Sequence, residues 1–252
     1  MEKITSRKNE TIRTLRSLTL DGDVRRERGE YVCDGMKLLR EALSAGCELT
    51  GILWKKEACP LEVPEGVRQT IADGELFDYV SPMKNSPGPL FTVRMPEEDR
   101  ETPIRNAIVL ETVQDPGNVG TLIRTANAFG IDAVILCGDC ADLYHPKTVR
   151  ATMGALFRQR VLTTELDGLK ALLEKNSLPL YGAALHQNSA LITELSLSSA
   201  AVAIGSEGQG LSGELLALCE RTLFIPMLAQ SESLNAAVAG SLVLWEMVRD
   251  KT

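Results

Sequence analysis

Four polar residues, Ser231, Glu232, Ser233 and Asn235, crowd the front of an otherwise apolar segment in LAQSESLNAAVAGSLVLWEMVRD. One polar side chain is enough to cap a helix, so the surplus fits a site as well as a cap. Two further loops show the same mismatch. In ETVQDPGNVGTLIRTANAFG, Asp115, Pro116 and Gly117 form a turn, and Asn118 is expected to cap the following helix. That helix sets Val119, Leu122, Ile123 and Ala126 toward a core and leaves Arg124 off the stripe, available to an anion. In AIGSEGQGLS, Gly205, Gly208 and Gly210 follow a buried strand and permit close backbone approach or positive φ, with Glu207 inside the turn.

Other chemistry is weaker. Cys137 and Cys140 form a C-x-x-C, the spacing of a redox pair or half a zinc site. There is no second such pair, and His145 and His186 are the only histidines, so an incidental pair at a strand end is the better reading. The remaining cysteines, Cys33, Cys47, Cys59 and Cys219, are scattered as expected of reduced thiols. The glycine spacing G-x-x-G-x-G is not the dinucleotide fingerprint and comes late in the chain, which argues against an NAD oxidoreductase.

These loops must be held by regular elements. From residue 105 onward, continuous apolar strands (AIVLETV, DAVILCG, LPLYGAAL, AVAIGS, TLFIPM) alternate with helices (VGTLIRTANAFG, KTVRATMGALFR, DGLKALLEKNS, LSGELLALCE and the closing apolar helix). That pattern predicts a mostly parallel sheet covered on both faces, with ligands at the carboxyl ends of its strands. The closing helix is apolar on a wide arc, so burial is expected in the core or against a second subunit. Seven of the eleven prolines fall between Pro60 and Pro103, which places a boundary near residue 98. Residues 1–98 predict a small α/β domain. It contains helices at NETIRTLRSL and DGMKLLREALSAG, the second capped by Asp34, and short strands at YVC, GILW and FDYV. Residues 99–252 form the larger domain.

Composition narrows the class. Hydrophobic content of 44% and charged content of 24% are ordinary for a globular protein. No apolar run approaches a membrane span, and the N-terminus has no apolar signal region, so a cytoplasmic protein is expected. The net charge of -7 argues against a generally basic nucleic-acid binder. Yet the first 40 residues carry ten Lys or Arg against seven Asp or Glu. Lys3, Arg7, Lys8, Arg13, Arg16, Arg25, Arg26 and Arg28 are candidate phosphate contacts, with a solvated helix face as the bland alternative.

Taken together, NVGTLIRTA, GSEGQGL, and IPM followed by SLNAAVA resemble the three motifs of the SpoU (TrmH) family of RNA 2'-O-ribose methyltransferases, within the SPOUT superfamily. KTVRATMGALFR resembles a further segment between them, and the resemblance spans about residues 105–250 in order. It implies an α/β fold: a parallel-sheet SPOUT domain with a C-terminal trefoil knot, preceded by a small α/β substrate-binding domain. It also implies S-adenosylmethionine as cofactor and a homodimer. Gly205, Ile225 and Leu234 match cofactor-contacting positions, and Met227 and Ala203 join them from the same strands. Asn118 and Arg124 match the catalytic pair of the first motif, Glu207 the acidic residue of the second, and Ser233 and Asn235 the polar pair of the third. Lys147 and Arg150 join Arg7, Lys8, Arg13 and Arg16 as expected RNA contacts. Ser206, Thr152-Met153 and Ala236-Ala237 depart mildly from the family pattern.

The implied reaction is methyl transfer to a ribose 2'-hydroxyl. A guanidinium has no acceptor, so Arg124 is expected to stabilise the developing alkoxide and bind the adjacent phosphate, with Asn118 holding Arg124 or the ribose. The expected partner is RNA, rRNA ahead of tRNA, with no DNA, membrane or metal. The alternatives are a tRNA 2'-O-methyltransferase and a non-catalytic RNA-binding assembly factor of the same fold.

Overall fold

The computed structural model describes residues 1–56, 60–185, 188–228 and 233–249. Cys59, His186, Ser231 and Glu232 therefore lie outside the described residues. The first stretch runs β1 (Glu2–Ile4), α1 (Glu10–Leu20), α2 (Gly22–Arg28), β2 (Glu30–Asp34), α3 (Met36–Ser44) and β3 (Leu49–Lys55). It continues through β4 (Arg68–Ala72), α4 (Gly74–Val80) and β5 (Leu90–Arg94). Next come β6 (Ala107–Glu111), α5 (Pro116–Ala128), β7 (Ala133–Cys137), α6 (Pro146–Ala151), β8 (Val161–Thr164) and α7 (Leu166–Asn176). The chain closes with β9 (Leu180–Ala183), β10 (Ala190–Leu191), β11 (Ala201–Ile204), α8 (Gly213–Leu218), β12 (Arg221–Phe224) and α9 (Ala236–Glu246).

Two compact units emerge: Met1–Glu97 with Asp142–Phe157, and Glu98–Ala141 with Arg158–Thr252. A division into 1–98 and 99–252 does not include that excursion, in which α6 and its flanks pack with the first unit.

The first unit holds a five-stranded sheet in the order β1-β4-β3-β5-β2, parallel from β1 to β3 and antiparallel at β5. Ile12, Leu15 and Leu18 of α1 pack with Val32, Leu53, Phe77, Val80 and Leu90 in its core. Three local expectations are corrected. FDYV lies in a helix, because the Asp73 side chain caps Leu76 N–H and Leu76, Phe77 and Val80 form one buried face. Asp34 does not cap α3: it ends β2 as a buried side chain, and Gly35, with a φ of 110°, takes the cap position. Arg25 is not a phosphate contact. It is 2% exposed, its Nη2 reaches Asp142 Oδ2 at 2.5 Å, and its Nη1 donates to the Leu18 carbonyl at 2.7 Å.

In the second unit, seven strands among the described residues form a wholly parallel sheet in the order β10-β12-β9-β11-β6-β7-β8. Alternate residues face opposite layers. Ala107, Val109, Ala133, Ile135 and Ala203 pack with Leu169 and Leu172 of α7 and with Leu215 of α8. Neighbouring residues such as Ile108 face α5 and α9. These two helices lie so close that a Cβ on Gly240 would sit 2.5 Å from Leu122 Cδ2. KTVRATMGALFR is less helical than its pattern predicts: α6 ends at Ala151, and Met153 and Gly154 take positive φ before a short 3-10 turn.

Arg25→Met should destabilise the first unit by about 3 kcal/mol, because it removes one member of a buried pair. The figure takes the low end of the range because Asp142 keeps 28% of its side chain exposed. Urea unfolding measures it. A loss below about 0.5 kcal/mol would show that the pair does not anchor the Asp142–Phe157 excursion.

Candidate active site

The three loops singled out by composition meet at the carboxyl ends of the central strands. The first follows β6. Thr112 adopts a φ of 51°, and Asp115 Oδ1 accepts from the N–H groups of Gly117, at 2.7 Å, and Asn118, at 3.0 Å. Asp115, not Asn118, is therefore the helix cap, and Pro116 occupies the first turn where its missing N–H costs nothing. This frees the Asn118 side chain for other contacts.

The second loop is a tight turn after β11. Ser206 and Gly210 exchange backbone hydrogen bonds at 3.2 and 2.9 Å. A Cβ on Gly205 would sit 2.1 Å from the Gly210 carbonyl carbon, so no other residue fits this crossing. The third loop ends at Asn235, whose Oδ1 accepts from Ala237 N–H at 2.9 Å and Val238 N–H at 3.3 Å as the cap of α9. Capping uses only the oxygen. Asn235 Nδ2 donates to Asn118 Oδ1 at 3.1 Å, and Asn118 Nδ2 donates to Glu207 Oε1. One relay, Asn235 to Asn118 to Glu207, thus ties the three loops together.

Beside this relay lies a cavity of about 310 Å³ lined by Gly205, Glu207, Ile225, Met227, Ser233 and Leu234, with Ala183, Ile204 and Phe224 at the strand ends. Its walls are mostly apolar and its polar groups few, the usual make-up of a small-molecule site. Four of the five residues expected to contact a cofactor line it. Ala203 does not, because the strand alternation turns it into the α7 layer, where it is fully buried. Arg124 is exposed and does not line the cavity, and no hydrogen bond or ion pair joins it to Asn118 among the described residues. The two project about 120° apart around α5, six residues and about 9 Å along its axis.

Glu111 is a residue the sequence reading missed. It is 7% exposed at the end of β6, and its carboxylate accepts from Ser212 N–H at 2.8 Å and Ser212 Oγ at 2.5 Å. Ser212 caps α8, so this contact fixes where the glycine turn ends. The available signal was a lone acid closing an apolar strand. Burial, and the Glu111 charge after it, push the Cys137 and Cys219 thiols up to about 11. Cys140 donates to the Leu110 carbonyl at 3.1 Å. Among the described residues, no three His, Cys, Asp or Glu side chains cluster in a way that would hold a metal.

In the first unit, the basic candidates divide. Arg7 pairs with Glu75 at 3.2 Å and lies 4.5 Å from the Tyr79 ring centroid; Arg16 lies 4.9 Å from the same centroid and donates to the Tyr79 carbonyl at 2.7 Å. Lys8, Arg13, Lys147 and Arg150 are exposed.

Residues 105–245 match the model of the SpoU rRNA Methylase family. Over 249 residues the chain is 32% identical to the 23S rRNA (guanosine(2553)-2'-O)-methyltransferase RlmP of Bacillus subtilis, covering 98% of this chain and 99% of that protein. The crystal structure of the SpoU methyltransferase AviRb from Streptomyces viridochromogenes, in complex with the cofactor AdoMet, superposes with a TM-score of 0.87. The identity there is 26%, over 96% of this chain and 99% of that one. An AdoMet-bound rRNA methyltransferase from Sinorhizobium meliloti shares the fold, with a TM-score of 0.89, 24% identity, and 100% and 98% coverage.

The pH dependence of the thiols gives a direct check. With thiols raised to about 11, Cys137 and Cys219 stay protonated at pH 8 and should alkylate at least about 100-fold more slowly than a free cysteine. Their rates should rise between pH 9 and 11, read by peptide mass spectrometry of the folded chain. Fast labelling at pH 8 would revive a redox role for the C-x-x-C.

Proposed function

The chain belongs to the SpoU rRNA methylase family, and from that premise we propose that it transfers a methyl group from S-adenosylmethionine to a ribose 2'-hydroxyl of rRNA. The observation that carries this reading is the relay of Asn235, Asn118 and Glu207 beside the apolar cavity of the second unit. The RlmP relative supports rRNA as substrate, and the AviRb complex supports the cofactor.

The residues fit that cofactor. Ile225, Met227 and Leu234 offer apolar walls, Gly205 lets the backbone come close, and the Glu207 carboxylate complements a sulfonium charge. When bound, the cofactor supplies a methyl group already activated by that charge. The chain's own task is to align the ribose oxygen and ease the loss of its proton. Among the described residues the cavity lining contains no His or Cys, and stabilisation of the alkoxide is assigned to Arg124, a fixed cation with no acceptor. Asn118 acts on the loops, since both ends of its amide are committed to Glu207 and Asn235. The small first unit, with Lys8, Arg13, Lys147 and Arg150 exposed, takes the role of RNA-binding domain.

Arg124 lies outside the cavity lining of its own chain, and this shapes the assembly. Val238, Leu242 and Trp245 form an exposed apolar stripe on α9, each 43–49% exposed, of the kind an interface covers. We place a second copy on this stripe, so that Arg124 of one protomer serves the cavity of the other. The same reading includes the family's trefoil knot and a cytoplasmic setting; residues 229–232, between β12 and α9, lie outside the described residues.

The test is methyl transfer from labelled S-adenosylmethionine to RNA from a strain lacking this gene, separated by size. Label should enter rRNA and not tRNA, and Arg124→Ala should lower kcat at least about 100-fold with cofactor affinity little changed. Subunits carrying Arg124→Ala and Gly205→Ala, each inactive alone, should recover about a quarter of wild-type activity when mixed, because half of the dimers then hold one intact site. Label confined to tRNA would contradict the substrate. No recovery from demonstrated mixed dimers would place Arg124 in its own chain's site.

A further inference from the structure

A second cavity lies wholly within the first unit, with a volume of about 320 Å³, and the catalytic reading gives it no task. The excursion Asp142–Phe157 supplies one side through His145, Lys147, Val149 and Arg150, and the core of the unit supplies the other through Asp34 and Leu38. Leu38, Pro82, Met83 and Val149 give it apolar walls. Lys147 and Arg150 are exposed members of the lining, so both cations stand at its solvent side.

Asp34 is the unusual member. It is 9% exposed, and no basic side chain hydrogen-bonds to it among the described residues. Its Oδ2 accepts from Ser81 Oγ at 2.7 Å and its Oδ1 accepts from Ser86 Oγ, which leaves each oxygen one further acceptor position. Buried carboxylates are normally ion-paired; this one lines the cavity with two serine hydroxyls as its hydrogen-bond partners, and the Arg150 and Lys55 charges act on it from a distance. His145 Nδ1 accepts from Lys147 N–H at 3.1 Å, so the neutral ring carries its hydrogen on Nε2. Burial and the Arg25 charge lower the His145 pKa, which keeps the ring in that neutral form.

A slot with apolar walls, a carboxylate with two free acceptor positions, a ring N–H donor and a cationic rim matches one ligand chemistry. We propose that this cavity holds a single unstacked guanine nucleotide of the RNA substrate. The N1–H and N2 amino group of guanine, side by side, meet Asp34; His145 Nε2 faces its carbonyl; Arg150 and Lys147 take the phosphate. Single-stranded RNA is read in this way, by stacking and by the Watson–Crick edge of a splayed base. The site lies in the RNA-binding unit and names a specificity element there, so the choice of ligand rests on the proposed function. The pocket itself is independent of turnover.

The experiment titrates guanosine 5'-monophosphate into the full-length chain saturated with S-adenosylmethionine, read by ligand-observed NMR. Saturating the other cavity first removes a second place for a purine. Saturable binding is expected, with inosine 5'-monophosphate at least about tenfold weaker because it lacks the N2 amino group. Asp34→Asn should abolish the preference for guanosine over inosine monophosphate. Arg150→Glu, at an exposed position with no core role, should weaken both nucleotides about tenfold while the circular dichroism stays unchanged. Equal affinity for the two nucleotides, or no saturable binding to the folded wild-type chain, would overturn the proposal. Neither result depends on methyl transfer, so the proposal can fail while the catalytic reading stands, and the reverse.

Discussion

The Asn118 amide is the contact on which the site depends. Its nitrogen is given to Glu207 and its oxygen to Asn235, so one planar group ties its own loop to two others that lie 89 and 117 residues further along the chain. An amide suits this position because it offers a donor and an acceptor at fixed separation. A carboxylate would repel Glu207, and a hydroxyl would not reach both partners. Asp115 makes the arrangement possible by taking over the capping of α5, which leaves Asn118 unspent.

The surrounding fold keeps that amide in place by close backbone approach. The crossing of Gly205 over Gly210 closes the glycine turn, and Glu111 pins its far end through Ser212. Beneath, Gly240 lets α9 lie against Leu122 of α5 without a gap. The two asparagine-bearing helix starts are therefore held by core packing, and the site inherits the rigidity of the sheet. The cavity beside them is lined from strand ends and loops of the same unit, the usual place for a ligand in a parallel sheet.

Much of this was legible in the sequence. Apolar strands alternating with amphipathic helices identify the parallel sheet, because strands buried on both faces leave no polar period. The three loops stood out as polar residues in excess of what caps require. The failures have local causes. FDYV has strand-forming residues, but an Asp cap and the packing of Leu76, Phe77 and Val80 override that propensity. Ala203 sits one residue from the cavity, and a period of two turns it to the opposite face. Glu111, Asp34 and the Arg25–Asp142 pair join residues up to 117 positions apart, a spacing no local pattern encodes. Asp142–Phe157 likewise joins the first unit through packing that periodicity cannot reveal.

The central claim is that the methyl group goes to a ribose oxygen and not to a base. Wild-type chain would be incubated with rRNA and methyl-labelled S-adenosylmethionine, and the product hydrolysed in alkali, which cleaves every linkage next to a free 2'-hydroxyl. The account predicts that the label survives in an alkali-resistant dinucleotide. Label recovered in mononucleotides would mean base methylation and would contradict it.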